Sequence, residues 1–407
     1  MKRLLQINIT ANWGSHGKIA EGIGHMVLAR GWESHIAYGR WANPSESQLY
    51  RIGSSMDEVM HGVGSRLFDN HGLMSRGATR RLVRYIDALQ PDIIHLHNIH
   101  GYYLNYPLLF AYLAARGTPV VWTLHDCWSF TGHCAHYMFV GCRQWETHCR
   151  HCLQPNAYPK SLWADRSYRN FEKKRAAFLS MPRLTLVPVS RWLEGELQRS
   201  FFGRTPIRRI YNGIDVDVFR PQGHTEQIRA KYGISADRKI VLGVASNWYR
   251  KGLDDFVRLA PLLPSESCIV LVGLNEKEMR MAEKAGIVGI RRTDDTAELA
   301  ALYSTADVYF NPTWEETFGL TNLEAMACGT PAITYRTGGS AETVGPGTGY
   351  VVEKGDVLDA AEKIREILLK PAADVSDVCR WHVLERFDKH ERFSAYYDLY
   401  TELLSRL

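Results

Sequence analysis

The chain holds no apolar run long enough to cross a membrane. Its longest clean stretches, Leu108–Ala115 and Cys268–Leu274, fall far short of the roughly 20 residues that a span needs. The opening MKRLLQINITANWGS is basic and then briefly apolar, but Gln6 and Asn8 interrupt the apolar part. It reads as a first strand and not as a signal peptide. A cytoplasmic location is therefore expected, extending at most to the inner face of the cytoplasmic membrane. A dense basic tract is missing too, as is any recognisable nucleic-acid module, so nucleic acid is not an expected partner. Two phosphate-binding signatures also fail. A P-loop ending at Gly17-Lys18 needs glycine at position 12 and Ser or Thr at 19, where the chain has Asn12 and Ile19. Gly22-x-Gly24 falls inside a helical pattern instead of between strand and helix, which excludes a dinucleotide fingerprint.

What is present is ordinary in bulk and uneven in charge. With 45% hydrophobic and 23% charged residues, the 407-residue chain has the makeup of a globular protein. Its length predicts two domains, or one large barrel at the outside. Residues 1–215 carry 26 Lys and Arg against 15 Asp and Glu, whereas residues 216–407 carry 23 against 29. A basic half and an acidic half point to two domains with different partners. Solvated surface is one account of the basic half. The other is a face drawn to an anionic membrane or a lipid-diphosphate acceptor, each well-placed Lys or Arg adding about 1 kcal/mol.

Both halves open alike. Leu4–Ile9 reads as a buried strand, Asn12–Lys18 as a glycine loop, and Ile19, Ile23, Val27 and Leu28 fall at helical spacing. Lys239–Ala245, the loop Ser246–Leu253 and the helix beyond repeat the pattern. Strand, glycine loop and helix together form the first unit of an α/β nucleotide-type domain. Asp92–Leu96 and Val120–Leu124 are further strands, delivering His97, Asn98, His100 and Tyr102, and then His125, to one sheet edge. That edge is where open parallel sheets bind ligands. The polar cluster at 97–102 is a candidate acceptor wall or a hydrogen-bonded loop. Lys160–Leu179 reads as a basic helix. Between these elements Cys134, Cys142, Cys149 and Cys152 fall close together, interleaved with four histidines. In a cytosolic chain such crowding predicts metal before disulfide, and four thiolates suit a closed structural zinc. Zinc would pin a long insertion that otherwise lacks periodicity.

The most informative stretch is Asn311–Val344, NPTWEETFGLTNLEAMACGTPAITYRTGGSAETV. It predicts a strand ending at Pro312, a loop, a helix from Thr321 to Cys328, and a strand through Thr334. Thr321 with Glu324 has the form of a capping box. The free N–H groups of such a helix make an anion site, and Gly319 lets a ligand approach the backbone. Seven residues separate Glu316 from Glu324.

Glu316-x7-Glu324 enclosing Phe318-Gly319-Leu320, followed by Glu-Ala-Met-Ala-x-Gly-x-Pro, resembles the donor-site motif of retaining glycosyltransferases of the GT-B fold, family four. The resemblance covers most of the chain and is firmest over 239–344. It implies two Rossmann-like domains facing across a cleft: 1–218 for the acceptor, with a Cys-rich insertion at 127–158, and 219–388 for the donor. Residues 389–407 would form a last helix crossing back to the first domain. The Asn212-Gly213-Ile214-Asp215 turn matches the family's handover between domains. By the same resemblance Lys251 binds the donor diphosphate. Ser246 stands where the family has arginine, and Arg250 supplies that charge from the next-door position. Asn247, Phe318, Leu320 and Thr321 complete the donor loops, and Arg292 and Thr293 edge the base. Glu316 holds the sugar and offsets its ring charge, Glu324 binds ribose hydroxyls, and His125 orients the sugar or handles a hydroxyl proton. Gly17 and Gly14 are the close-approach glycines beside donor diphosphate and acceptor. No Asp-x-Asp pair is placed to hold a catalytic divalent ion, so no cofactor is expected for catalysis.

The pattern Trp122-Thr-Leu-His-Asp-Cys-Trp-Ser-Phe-Thr-Gly-His-Cys narrows the resemblance to bacterial enzymes that build colanic acid and related exopolysaccharides. It implies a UDP- or GDP-sugar donor and a glycan or polyprenyl-diphosphate-linked acceptor. A sugar-nucleotide epimerase of the same fold and a silent sugar-nucleotide-binding protein are the alternatives.

Overall fold

The computed structural model describes residues 1–223 and 225–406. The chain divides into two compact units: Met1–Tyr211 with His390–Leu407, and Asn212–Lys389.

In chain order the first unit contains β1 (Arg3–Asn8), α1 (Gly14–Ala29), β2 (Glu33–Tyr38), β3 (Gln48–Arg51), α2 (Ser55–Phe68) and α3 (Arg76–Leu89). It continues through β4 (Ile93–Leu96), α4 (Tyr106–Arg116), β5 (Val120–Leu124), α5 (Ser167–Leu179), β6 (Leu184–Pro188) and α6 (Arg191–Arg199). Its sheet is parallel, ordered β3-β2-β1-β4-β5-β6. Strands covered by helices on both faces must be apolar almost throughout, and Leu4, Leu5, Ile93, Ile94, Val120 and Val121 are all fully buried. Strand order reverses between β1 and β4. There the connections leave in opposite directions and a crevice opens at the C-terminal edge.

The second unit contains α7 (Thr225–Lys231), β7 (Lys239–Val244), α8 (Leu253–Leu259), β8 (Ser267–Val272), α9 (Glu276–Lys284), β9 (Val288–Ile290) and α10 (Thr296–Thr305). Then follow β10 (Val308–Asn311), α11 (Leu320–Ala327), β11 (Ala332–Tyr335), β12 (Gly349–Val352), α12 (Val357–Leu368) and α13 (Ala372–Phe387). Its parallel sheet runs β12-β11-β10-β7-β8-β9, reversing between β7 and β10.

The last helix, α14 (Lys389–Ser405), begins at the end of the second unit and belongs almost wholly to the first. Phe393, Tyr396, Leu399 and Tyr400 join Ile19, Ile23 and Val27 of α1 in one core. The Phe393 ring lies where a Cβ at Gly22 would stand, at 2.2 Å, so that glycine is a packing requirement. Tyr400 Oη donates to buried His95 Nδ1 at 2.7 Å. His95 Nε2 in turn meets Thr123 Oγ1 at 2.8 Å, which donates to Tyr396 at 3.0 Å.

Two sequence expectations shift. The basic helix begins at Ser167 and not at Lys160, because Asp165 accepts the Ser167 amide at 2.9 Å and residues 160–166 run as irregular backbone. Helix α11 begins at Leu320 and has no side-chain cap. Gly319, in the left-handed region at φ 97°, turns the chain into it. Thr321 lies inside the first turn, its hydroxyl bonded to Tyr309, so the capping box is not formed.

Removing the Tyr400 hydroxyl strands a buried histidine acceptor. Tyr400→Phe should therefore cost about 1–3 kcal/mol, read as a lower urea midpoint for the first unit with an unchanged slope.

Candidate active site

At the switch point of the second sheet, the β7–α8 and β10–α11 loops are sewn together. Gly252, at φ 81°, lies so close to Pro312 that a Cβ would stand 2.3 Å from its carbonyl oxygen, so only glycine fits. Trp314 N donates to Arg250 O at 2.9 Å. Lys251 is thereby delivered beside the acid pair: its Nζ donates to Glu316 Oε2 at 2.8 Å and to Glu315 O at 3.1 Å. The other oxygen of Glu316 accepts the Thr317 and Phe318 amides at 3.1 and 3.4 Å. Ammonium, carboxylate and the amides of the loop leading into α11 thus meet at one helix mouth.

Glu324 lies one turn into α11, where its Oε2 accepts from buried Tyr303 at 3.0 Å. Burial, then the nearby carboxylate, raises the Tyr303 hydroxyl well above its usual range and keeps it a donor. Asn322 braces the opposite face, donating to Ser340 Oγ at 3.0 Å and Thr343 Oγ1 at 2.8 Å. Phe318 is buried and Leu320 half-buried.

Other donor-side residues fall differently. Arg250 forms a buried ion pair with Glu315 at 2.7 Å, so its charge is balanced in place. Ser246 and Asn247 are exposed at the loop's start, where Asn247 Oδ1 accepts the Tyr249 amide at 2.9 Å. Arg292 is exposed and Thr293 half-buried beyond β9, two strands from β7. The one Asp-x-Asp spacing, Asp215-Val216-Asp217, is a structural turn: Asp215 pairs with Lys389 at 2.5 Å and accepts the Asp217 and Val218 amides.

The switch point of the first sheet carries a histidine relay. Gln6 Nε2 donates to Ala20 O at 2.7 Å, leaving its carbonyl to accept from His97 Nε2 at 3.0 Å. His97 Nδ1 must then accept, 3.2 Å from His125 Nε2. Neutral His125 therefore carries its proton on Nε2 and leaves Nδ1 unprotonated. Burial, reinforced by His97 and His16, holds His125 well below the usual histidine range. His100 pairs with Asp126 at 2.6 Å and meets Tyr158 Oη at 3.0 Å. Burial opposes ionisation of Asp126, but the His100 contact overcomes it and drives the carboxyl low.

His97 and His125 are thus together, with Asn98 and His100 on the same loop as His97. Tyr102, at φ 74°, turns its ring toward Arg40 and Arg66. Gly14 opens onto free space, while a Cβ on Gly17 would stand 2.7 Å from Thr10 Oγ1, which makes Gly17 a packing glycine. A crevice of ≈ 250 Å³ lies here, lined by Thr10, His16, Asn98, His100 and Tyr158 among others. Its rim is an aromatic pair, Trp13 and Trp41, 43% and 51% exposed with centroids 4.5 Å apart. No sequence signal marks them: they stand on loops 28 positions apart, strapped by the Asn43-to-Asn12 carbonyl bond at 2.7 Å.

The cysteine insertion is ordered by packing and hydrogen bonds. Among the described residues no three His, Cys, Asp or Glu side chains are grouped to hold an ion. Cys134 and Cys152 are hydrogen-bonded to each other, which lowers the Cys134 thiol to about 7. Cys149 accepts the Gly132 amide at 3.1 Å, and Cys142 is half-buried. What pins the segment is Phe130 and Tyr137 against Trp145, the buried His133–Asp69 pair at 2.7 Å, and Lys174. The last is fully enclosed, with Nζ 2.6 Å from Trp128 O and 3.0 Å from Thr131 O. No grouping among the described residues supports the expected four-cysteine zinc site, and aromatic packing and these bonds order the loop.

Buried neutral histidines make the first unit acid-sensitive. His95, His97 and His125 lie well below 6.5 through burial, and burial takes His61 to about 4. Their unfolded forms bind protons first. Stability should be complete above pH 6.5 and fall as pH drops toward 4, by up to about 1.4 kcal/mol per histidine per unit, seen as a declining melting midpoint between pH 7 and 5.

Residues 23–218 match the Glycosyltransferase Family 4 model and residues 224–379 the Glycosyl transferases group 1 model. A putative colanic acid biosynthesis glycosyl transferase, WcaC of Escherichia coli (strain K12), is 31% identical over 227 residues, covering 52% of this chain and 55% of that protein. The chain spans about half the length of the curated relatives it matches. Among solved structures, WaaG, a glycosyltransferase involved in lipopolysaccharide biosynthesis, aligns at TM-score 0.70 and 17% identity over 98% of this chain and 99% of its own. HepE of Anabaena, in complex with UDP, aligns at TM-score 0.65 and 15% identity over 100% of both chains. These two share the fold. The two models of one enzyme family together take in most of the chain, which belongs to the group 1, family 4 glycosyltransferases of GT-B fold.

Proposed function

We propose that the protein transfers a sugar, with retention of configuration, from a UDP- or GDP-sugar to a hydroxyl of a glycan or polyprenyl-diphosphate-linked oligosaccharide. The observation that carries this is the Lys251–Glu316 pair at the mouth of α11. Breaking a sugar–diphosphate bond builds negative charge on the leaving oxygens and positive charge on the ring. Lys251 and the α11 amides are fixed donors for the first, and Glu316 is the counter-charge for the second. With the donor bound, Lys251 exchanges part of its bond to Glu316 for the diphosphate. No divalent cation is needed for this division of charge.

Glu324, fixed by Tyr303, accepts from two vicinal ribose hydroxyls as a carboxylate can. His125 Nδ1 accepts from a sugar hydroxyl, and its relay to Gln6 holds that tautomer. Trp13 and Trp41 offer flat apolar faces at the acceptor crevice, suited to the C–H face of a sugar ring. The UDP in HepE and the colanic acid assignment of WcaC support the donor and acceptor classes.

Melting curves with UDP and GDP test the donor side. One nucleotide at a hundred times its dissociation constant should add about 2.7 kcal/mol of apparent stability, and Lys251→Ala should abolish the shift. Glu316→Gln should keep it while lowering kcat about 100-fold or more. A shift by neither nucleotide would sink the donor assignment, and isomerised donor without acceptor would mark an epimerase. On the acceptor side, Trp41→Ala should raise the acceptor KM roughly tenfold and leave the nucleotide shift unchanged.

A further inference from the structure

Helix α2 is amphipathic the wrong way round. Its buried face is His61, Gly62, Gly64 and Ser65. Its exposed face carries Met56, Val59, Met60 and Val63, of which Met56 is 68% and Met60 55% exposed. The spacing i, i+3, i+4, i+7 makes them one continuous stripe. The helix does not need that stripe to stay in place. Ser54 and Asp57 form a capping box at its start, His61 bonds Ser75 Oγ at 2.8 Å and the Gly72 amide at 3.1 Å, and Gly64 lies against Met74. Single exposed apolar residues are normal, but a full stripe is a contact surface. It continues past the helix end. Leu162 N donates to Arg66 O at 2.7 Å, and the next residue, Trp163, is 81% exposed.

The rim is cationic. Arg51 is bonded to Ser55 Oγ at 3.0 Å, Arg66 is on the helix itself, and Arg166 lies over Phe68 at 5.9 Å. The helix's own acids are neutralised, Asp57 by Arg81 at 3.4 Å and Glu58 by Arg40 at 3.0 Å. A second copy would bring two such rims together, like charge against like. Methionine and valine below, arginine around and tryptophan at the edge match a helix lying in a lipid interface, and α2, about 20 Å long, is of suitable length.

We propose that the α2 stripe, with Leu162 and Trp163, docks the protein on an anionic bilayer surface. The same helix borders the acceptor crevice. Tyr102 lies under Gly62 and between Arg66 and Arg40, and Arg40 with Gly101 lines the crevice. Docking therefore holds the crevice within a helix diameter, about 10 Å, of the bilayer surface, within reach of a lipid-linked acceptor's diphosphate. The docking surface deepens the lipid-carrier reading above and rests on it for its purpose, but it is tested without turnover.

The test is co-sedimentation of the whole protein with vesicles of phosphatidylcholine alone and of phosphatidylcholine with phosphatidylglycerol. Binding should require phosphatidylglycerol, weaken with salt, and fall about tenfold or more in Met60→Asp/Val63→Asp. Trp163→Ser, on a separate segment, should give a smaller fall. Both variants should keep the melting midpoint and the nucleotide shift, which separates failed docking from a failed donor site. Equal binding by variant and parent, or binding to neither vesicle, would overturn the proposal. So would a dimer by light scattering that Met60→Asp/Val63→Asp dissociates without any vesicle binding.

Discussion

A parallel strand cannot return to its neighbour through a tight turn, because each connection must travel the length of the sheet before the next strand begins. Every strand of both sheets therefore ends at the same edge, and the loops that follow must gather there. Where strand order reverses, two such loops diverge and leave a crevice between them. All of the chemistry described here descends from that constraint. β1 and β4 bring the Trp13 loop and the histidine loop to one crevice. β7 and β10 bring Lys251 to Glu316 across 65 positions of sequence.

Charge is arranged differently at the two edges. The second unit keeps its ionic groups as pairs, with Arg250 and Glu315 locked together beside the Lys251–Glu316 pair. A buried pair removes net charge but fixes direction. Here it stiffens the loop that carries the lysine, leaving Lys251 as the ammonium at the helix mouth. The first unit instead buries neutral imidazoles, whose tautomers are set by a chain of hydrogen bonds ending on a backbone carbonyl of α1. On the proposed reading, one edge receives an anion and the other orients hydroxyls.

Much of this was legible in the sequence. Doubly covered strands announce themselves as apolar runs, and Leu4–Ile9, Val120–Leu124 and Cys268–Leu274 lie on or within two residues of observed strands. Glu316 and Glu324 could be singled out because a motif fixes their spacing, and Lys251 through the family resemblance of its Lys-Gly pair. The helix start at Thr321 could not, since a threonine three residues before a glutamate scores as a cap whether or not a preceding glycine has already turned the chain. The cysteines show the limit of composition: their crowding is visible, but the packing of Phe130, Tyr137 and Trp145 that orders their loop involves residues with no recognisable spacing. Helix α2 was hidden for the opposite reason. Periodicity assigns apolar residues to the interior, and here the interior took glycine, serine and histidine.

The first unit is not a continuous piece of chain: its core includes α14, which is made after the whole second unit. On the ribosome, the second unit has its whole sequence before those residues emerge, whereas the first must wait with the α1 face and the His95 acceptor uncovered. The unit synthesised first is thus the one completed last. Loss of the last turns of α14 would therefore be felt at β4 and β5, the strands that lead into His97 and His125, a long way back along the sequence from the missing residues.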